Sequence, residues 1–302
     1  MAGHRTTPQT TRARALWLTA RPKTLAAAIV PVLVATALVG AEGHDVHGWV
    51  SVLALLAAIM IQIGTNFVND ALDFLKGADG ESRLGEARAT QSGWFSARTV
   101  LVMGGVFFTV ALLLGIPLVI VGGWPIFWIG ILSLGMGYAY TGGPYPLAYV
   151  GLGDLFVVIF FGLVAVGGVY YLQTQSYSWG AAVAGLQVGL LATVLIAINN
   201  LRDIDQDREV NKKTLAVRLG PTLGRLEVLV LIASAFVLNV YWLGEGATLA
   251  FAMPLFALPP AARVGLTLLH TDASREYNRL LARAAFVHML FGMLLSVGFV
   301  LQ

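Results

Sequence analysis

The stretch Asn66-Phe67-Val68-Asn69-Asp70-Ala71-Leu72-Asp73-Phe74-Leu75-Lys76-Gly77-Ala78-Asp79 closes a long apolar run that begins near Trp49. On a helix Asn66, Asp70 and Asp73 stand at i, i+4 and i+7, so all three project from one face at the end of a hydrophobic rod. A second run, from about Trp179, ends alike in Asn199-Asn200-Leu201-Arg202-Asp203-Ile204-Asp205-Gln206-Asp207. There Asn199, Asp203 and Asp207 fall at i, i+4 and i+8, with Asn200 beside them. The chain has only 16 Asp and Glu in 302 residues, yet six of them fall in these two stretches.

With 57% hydrophobic residues, 12% charged and a mean hydropathy of +0.77, the chain carries about half the charge a soluble domain needs. It reads as an all-α integral membrane protein. The absence of Cys excludes disulfides and thiolate metal sites. Apolar segments long enough to cross a bilayer lie at about 24–41, 49–75, 98–121, 124–140, 153–173, 179–203, 224–243, 247–269 and 280–301, which predicts about nine helices. Residues 1–20 read as a polar, mobile cytoplasmic tail bearing Arg5, Arg12 and Arg14, and 21–302 as one transmembrane domain. The first apolar segment resembles a signal peptide, but the long tail before it favours retention.

Charge sets the orientation. With the tail cytoplasmic, the loops at 76–98, 141–152, 204–223 and 270–279 are cytoplasmic too, and all 19 Lys and Arg fall there or at adjoining helix ends. The opposite loops carry none, as the positive-inside rule requires of a multi-pass cell-membrane protein. Both acidic ends then face the cytoplasm, on the second and sixth segments, which run in the same direction as in a parallel repeat. The bilayer is the expected partner, and nucleic acid is not. Gly162, Gly167, Gly168, Gly185 and Gly189 are candidates for close helix packing.

Charged groups in a membrane segment cost about 2.5–3.5 kcal/mol each and need a partner or a task. Asp70, Asp73, Asp203 and Asp207 would concentrate negative charge where helix dipoles are already negative. Carboxylate and Asn oxygens suit a hard cation such as Mg²⁺, which shares its shell with phosphates. Lys76, Arg83 and Arg88 follow the first acidic end; Arg202, Arg208, Lys212, Lys213 and Arg218 surround the second. Carboxylates for Mg²⁺ within a ring of Arg and Lys suit a diphosphate, and a site sunk in a bundle suggests a lipid tail. Asp79, Glu81 and Glu86 read as solvated loop charges, Asp79 least securely, and Asp205 and Glu209 lie off the acidic face. Midway, Tyr138, Tyr140, Thr141, Tyr145 and Tyr149 surround Gly142-Gly143-Pro144, and Asp154 opens the next helix. Asp154 is either a cap or an acid/base; the tyrosines are either interface residues or faces for a carbocation.

These residues resemble the UbiA-type intramembrane prenyltransferases over nearly the whole bundle. Asn66 to Asp79 is similar to that family's first aspartate motif, and Asp203-Ile204-Asp205-Gln206-Asp207 to its second. Within the family the details are most similar to the menaquinone-pathway branch that prenylates 1,4-dihydroxy-2-naphthoate. They include Arg21-Pro22-Lys23-Thr24-Leu25, Arg88-Ala89-Thr90-Gln91-Ser92-Gly93, Tyr140-Thr141-Gly142-Gly143-Pro144, Gly151-Leu152-Gly153-Asp154 and Lys212-Lys213-Thr214-Leu215-Ala216. Ala89 after Arg88 departs from the pattern of hydroxybenzoate-using members. The resemblance implies Mg²⁺ held by Asp70, Asp73, Asp203 and Asp207, with Asn66 and Asn200 assisting. It further implies a polyprenyl diphosphate donor held by Lys76, Arg83, Arg88, Arg202, Lys212 and Lys213, and ionisation of its allylic C–O bond. Attack by the naphthoate ring and loss of CO₂ would give demethylmenaquinone. Arg21 and Lys23 are candidates for the acceptor carboxylate, Asn200, Tyr138 and Tyr140 for the acceptor or cation, and Asp154 for the base. The competing readings are a 4-hydroxybenzoate-using relative and an ion-coupled carrier. A carrier needs a midplane site, whereas these acids sit at one face.

Overall fold

The computed structural model describes residues 11–80 and 83–302; Arg5 and Glu81 fall outside the described residues. Every regular element among them is helical: α1 (Arg12–Ala20), α2 (Pro22–Ala41), α3 (Gly48–Leu75), α4 (Ala97–Ala139), α5 (Gly153–Thr174), α6 (Trp179–Arg202), α7 (Ile204–Glu209), α8 (Leu215–Gly244), α9 (Thr248–His270) and α10 (Tyr277–Val300). In hydrocarbon each backbone donor must find its acceptor within the segment, and the helix achieves this. Hydroxyl caps start four of them: Thr11, Ser96, Ser178 and Thr214 accept from Arg14 N, Thr99 N, Ala181 N and Val217 N.

Eight described helices are long and apolar enough to span a membrane. One of them, α4, has 43 residues, about 65 Å at 1.5 Å per residue, twice a bilayer core. Gly123 divides it, with φ 63° and ψ −151° that only glycine adopts readily, followed two residues on by Pro125. The expected count of nine treats these halves as separate spans.

Two expectations change. Residues 12–20 are not a mobile tail: α1 is helical and buries Ala15 and Thr19 against the bundle. The segment 204–223 is not a loop throughout, because α7 occupies part of it and α8 starts at Leu215, bending at Gly220 (φ 79°) before Pro221.

Helix α6 is the centre of the core. Its Gly185 and Gly189 meet Gly162 of α5 so closely that a Cβ on Gly162 would lie 2.4 Å from the Gly185 carbonyl. The α5 backbone adopts a π-helical turn over Val158–Val164 at this crossing. Trp49, Trp124, Trp128, Tyr177 and Trp179 are exposed near the face opposite the basic loops, as interface aromatics are. On that face Glu42 accepts hydrogen bonds from Tyr170 and Ser178, tying α2 to α5 and α6.

Candidate active site

The first acidic end is shaped by how α3 stops. Gly77 takes φ 75°, and Ala78 N donates to Asp73 O at 2.9 Å, a Schellman-type end that folds the chain back under the helix. This returns Asp79 toward the site, where it is buried and paired with both Arg83 and Arg88. Arg88 Nη1 bridges Asp79 Oδ2 at 2.5 Å and Asp73 Oδ2 at 2.7 Å, and donates to Asn69 O at 3.2 Å. Asp79 therefore belongs to the cluster, against the reading as a solvated charge.

Two members of the first motif do something else. Asp70 faces the 88–90 segment: Oδ1 accepts from Thr90 N at 3.0 Å and Thr90 Oγ1 at 2.6 Å, and Oδ2 from Ala89 N at 2.9 Å. It anchors the loop that delivers Arg88, and both of its oxygens are engaged there. Asn66 donates to Ala20 O at 2.9 Å and Thr24 Oγ1 at 3.0 Å, so it fastens the α1–α2 junction. Asn69 stands nearer the cluster, its Oδ1 accepting from Thr141 Oγ1 at 2.7 Å.

The second end presents Asp207, whose Oδ1 lies 3.2 Å from Lys212 Nζ. Asp203 is clasped by its neighbour Arg202 through Nε and Nη2, at 2.8 and 2.5 Å. Arg202 also binds Asn199 and Asn278 at 2.8 Å each, so all three of its guanidinium nitrogens are engaged within the protein. The two ends are stitched by Gln206 Nε2 donating to Ala78 O at 2.6 Å, and Asn278 holds Leu84 O at 2.9 Å. Gly85 runs between Arg83 and Arg202, where a Cβ would lie 2.8 Å from each guanidinium.

Asp73 and Asp207 share one compartment. Tyr149 OH donates to Asp73 Oδ1 at 3.0 Å, and its ring lies beneath Lys76 Nζ (4.6 Å) and Lys212 Nζ (5.6 Å). Burial lowers the Lys212 pKa, but the fields of Asp73 and Asp207 together hold it above its ordinary value. Asp207 is pushed up to about 6 by burial, against Lys212 and with help from Asp203 and Asp73. Asp203 is held low by Arg202 despite burial, and Arg88 is held high by Asp73 and Asp79 despite burial. Tyr140 is raised by burial and then by the fields of Asp154, Asp73 and Asp207.

The remaining expected residues divide. Arg21, half-buried with its Nη2 fully enclosed, stands at the α1–α2 junction in the left-handed region (φ 50°), a strained conformation for a non-glycine. Burial, then Arg88 and Arg83, lower its pKa to about 9, which marks a cation short of anions. Lys23 is exposed and pairs with Glu86, and the exposed Lys213 contributes backbone bonds to Tyr149 and Arg218; neither joins the cluster. Tyr138 is largely exposed and covers Gly142. Asp154 and Asn200 are buried.

Beside this cluster lies a cavity of about 530 Å³ among α2, α3, α4 and α5, with Gln62, Thr65 and Tyr140 among its few polar linings. Phe156 and Phe160 in its wall stack with planes 7° apart. Eight buried side-chain atoms among the described residues have no hydrogen-bond partner, and five belong here: Arg21 Nη2, Gln62 Oε1, Arg88 Nε, Asp154 Oδ1 and Asp207 Oδ2. Buried polar groups are normally satisfied, so their concentration marks a ligand site.

No three acidic or His side chains among the described residues are close enough to hold a metal as arranged. Arg88 and Lys212 now supply the countercharge. The donor set still fits Mg²⁺: Asp73, Asp79, Asp207 and Asn69 offer hard oxygens, and Asp207 Oδ2 is a buried acceptor without a donor.

Comparisons with known proteins agree with this architecture. The model of the UbiA prenyltransferase family matches residues 28–294. A 1,4-dihydroxy-2-naphthoate octaprenyltransferase of Haemophilus influenzae is 36% identical over 291 residues, covering 93% of this chain and 94% of that protein. One from Escherichia coli is 39% identical over 228 residues, 73% of each. Among solved structures, a UbiA homolog from Archaeoglobus fulgidus bound to GPP and Mg²⁺ has a TM-score of 0.65 at 16% identity, covering 94% of this chain and 99% of that one.

Proposed function

The chain belongs to the UbiA prenyltransferase family, and from that premise we propose that it transfers a polyprenyl group from a polyprenyl diphosphate to 1,4-dihydroxy-2-naphthoate. The observation that carries this reading is the shared compartment of Asp73 and Asp207, bridged through Lys212 and Tyr149 beside an apolar cavity. The likeness to naphthoate prenyltransferases over nine-tenths of the chain supports the acceptor. Demethylmenaquinone at the quinol level, CO₂ and diphosphate are the products.

Asp73, Asp79 and Asp207, with Asn69, would hold Mg²⁺, which when bound neutralises the leaving diphosphate and so lets the allylic C–O bond ionise. Arg88 and Lys212 then turn from carboxylates to phosphate oxygens, joined by Lys76 and Arg83, and stabilise the charge that develops there. The cavity wall receives the isoprenoid tail and keeps water from the cation. Arg21 Nη2, a buried donor without an acceptor, holds the carboxylate of the aromatic acid until it departs. Tyr140 and the Phe156–Phe160 stack offer faces to the cation. Asp154 Oδ1 is the acceptor available for a ring or hydroxyl proton. By the distribution of Lys and Arg the site opens to the cytoplasm of a cell membrane, with the N-terminus on the same side.

The test incubates purified protein with a polyprenyl diphosphate and Mg²⁺, offers dihydroxynaphthoate and 4-hydroxybenzoate in parallel, and identifies products by mass. Prenylated, decarboxylated naphthoquinol that disappears with EDTA is expected. Product from hydroxybenzoate alone would reassign the acceptor, and none from either would overturn the reading.

A further inference from the structure

Gln62 lies one helical turn below Asn66 on α3, lines the cavity and is buried. Its orientation follows from a chain of hydrogen bonds that starts at two backbone carbonyls. Ala20 O can only accept, so the Asn66 amide nitrogen must face it, at 2.9 Å, and Asn66 Oδ1 is left as an acceptor. Arg21 O likewise accepts from Thr24 Oγ1 at 2.9 Å, which commits the single Thr24 hydroxyl proton and leaves its oxygen to accept. The polar neighbours of Gln62 are therefore both acceptors: Thr24 Oγ1 at 3.2 Å and Asn66 Oδ1 at 3.3 Å. The Gln62 NH₂ must serve them. Its Oε1 is turned away, buried and without a donor.

We infer that Gln62 Oε1 accepts a hydrogen bond from a ring hydroxyl of the aromatic acid, making Gln62 a specificity-determining residue; this rests on the function proposed above. The same junction that aims Gln62 carries Arg21, whose Nη2 is also buried without a partner. An anion-binding donor and a hydroxyl-binding acceptor held by one hydrogen-bonded corner suit a ligand carrying both a carboxylate and a hydroxyl. The diphosphate donor carries no hydroxyl on its tail, so it cannot satisfy Gln62. A site built to receive a hydroxyl discriminates strongly against an analogue that lacks it, because the acceptor is then left buried and unpaired.

The experiment is a two-by-two cycle of enzyme and acceptor. Wild-type and Gln62→Met proteins are each given 1,4-dihydroxy-2-naphthoate and its two monodeoxy analogues, and kcat/KM for the acceptor is measured at saturating donor. Intrinsic ring reactivity cancels in the cycle. For one deoxy analogue the wild type is expected to lose at least ~10-fold more than Gln62→Met loses. A cycle ratio of one for both analogues overturns the inference, as it would if Oε1 is merely hydrated. Should Gln62→Met fail to fold, inhibitor constants of unreactive naphthoates with and without each hydroxyl, measured on wild type, answer the same question. Equal constants overturn it. Failure of wild type to prenylate any hydroxy acid would instead sink the function reading.

Discussion

Replacing Asp70 by Asn separates a loop anchor from a metal ligand. The carboxylate accepts three hydrogen bonds, two from Thr90 and one from Ala89 N. An amide retains an oxygen for Thr90 but sets its NH₂ against the Ala89 N–H, so one bond is lost and two lose charge assistance. Bonds to a charged group are worth about 1.5–3 kcal/mol, so the change costs the closed loop about 2–4 kcal/mol. Arg88, two residues from Thr90, then leaves Asp73 and Asp79 for part of the time. The expected result is a kcat lower by ~10–100-fold with the Mg²⁺ concentration for half-maximal rate within ~3-fold of wild type. Asp73→Asn, by contrast, should raise that Mg²⁺ requirement by at least ~10-fold. The assay is turnover against Mg²⁺ at saturating substrates, with hydrogen exchange over 83–96 as the loop readout. A Mg²⁺ requirement raised equally in both variants, with loop exchange unchanged in Asp70→Asn, would refute the reasoning.

Other outcomes follow from the same geometry. Tyr149→Phe keeps the ring beneath Lys76 and Lys212 but removes the donor to Asp73, so kcat/KM should fall ~10-fold, corresponding to about 1.4 kcal/mol, while the melting temperature holds. Gly162→Ala places a Cβ 2.4 Å from Gly185 O and 2.8 Å from Gly189 Cα, backbone that cannot rotate aside; about 1–3 kcal/mol of stability should be lost in a thermal melt. Because Asp207 is raised to about 6 and a metal needs its carboxylate, Mg²⁺ affinity should fall as pH drops below that value and be flat above pH 7. The sign for metal-free stability is opposite: a carboxyl with a raised folded pKa favours the protonated state, so its contribution is present below the unfolded pKa and lost as pH rises through about 6. Melts of Asp207→Asn beside wild type at pH 5 and 7 should show wild type losing more stability on going to pH 7.

The helical bundle was legible because apolar length is a strong one-dimensional signal in a membrane protein. Asp73, Asp207, Arg88 and Lys212, singled out by spacing and charge, are side chains that the fold brings together. The division of labour within the first motif was not legible. At about 100° per residue, Asp70, Asn66, Asp73 and Asn69 fan across roughly 100° of α3. Spacing shows that they share a face but not that Asp70 sits at the edge toward the loop and Asn69 toward the cluster. The unweighed cue was that Asn69 and Asp73 are also i, i+4. Asp79 was obscured because a left-handed Gly77 reverses the chain before it, and a helical wheel ends where the helix does. Gln62 could not be found from sequence, since a lone glutamine in an apolar helix is informative only when its partners are known. Lys23 and Lys213 stand exposed, away from the cluster, because a positive charge between helices satisfies topology whether or not it touches a ligand.

The most direct measurement is anomalous scattering from protein crystallised with Mn²⁺, a hard-cation substitute for Mg²⁺, and an unreactive polyprenyl thiolodiphosphate. The account predicts a metal bound by Asp73, Asp79 and Asp207 together, Arg88 and Lys212 on the diphosphate, and the tail within the cavity lined by Tyr140 and Phe156. Metal bound at Asp70 with Asp207 left uncoordinated, or a diphosphate lodged away from both helix ends, would contradict it.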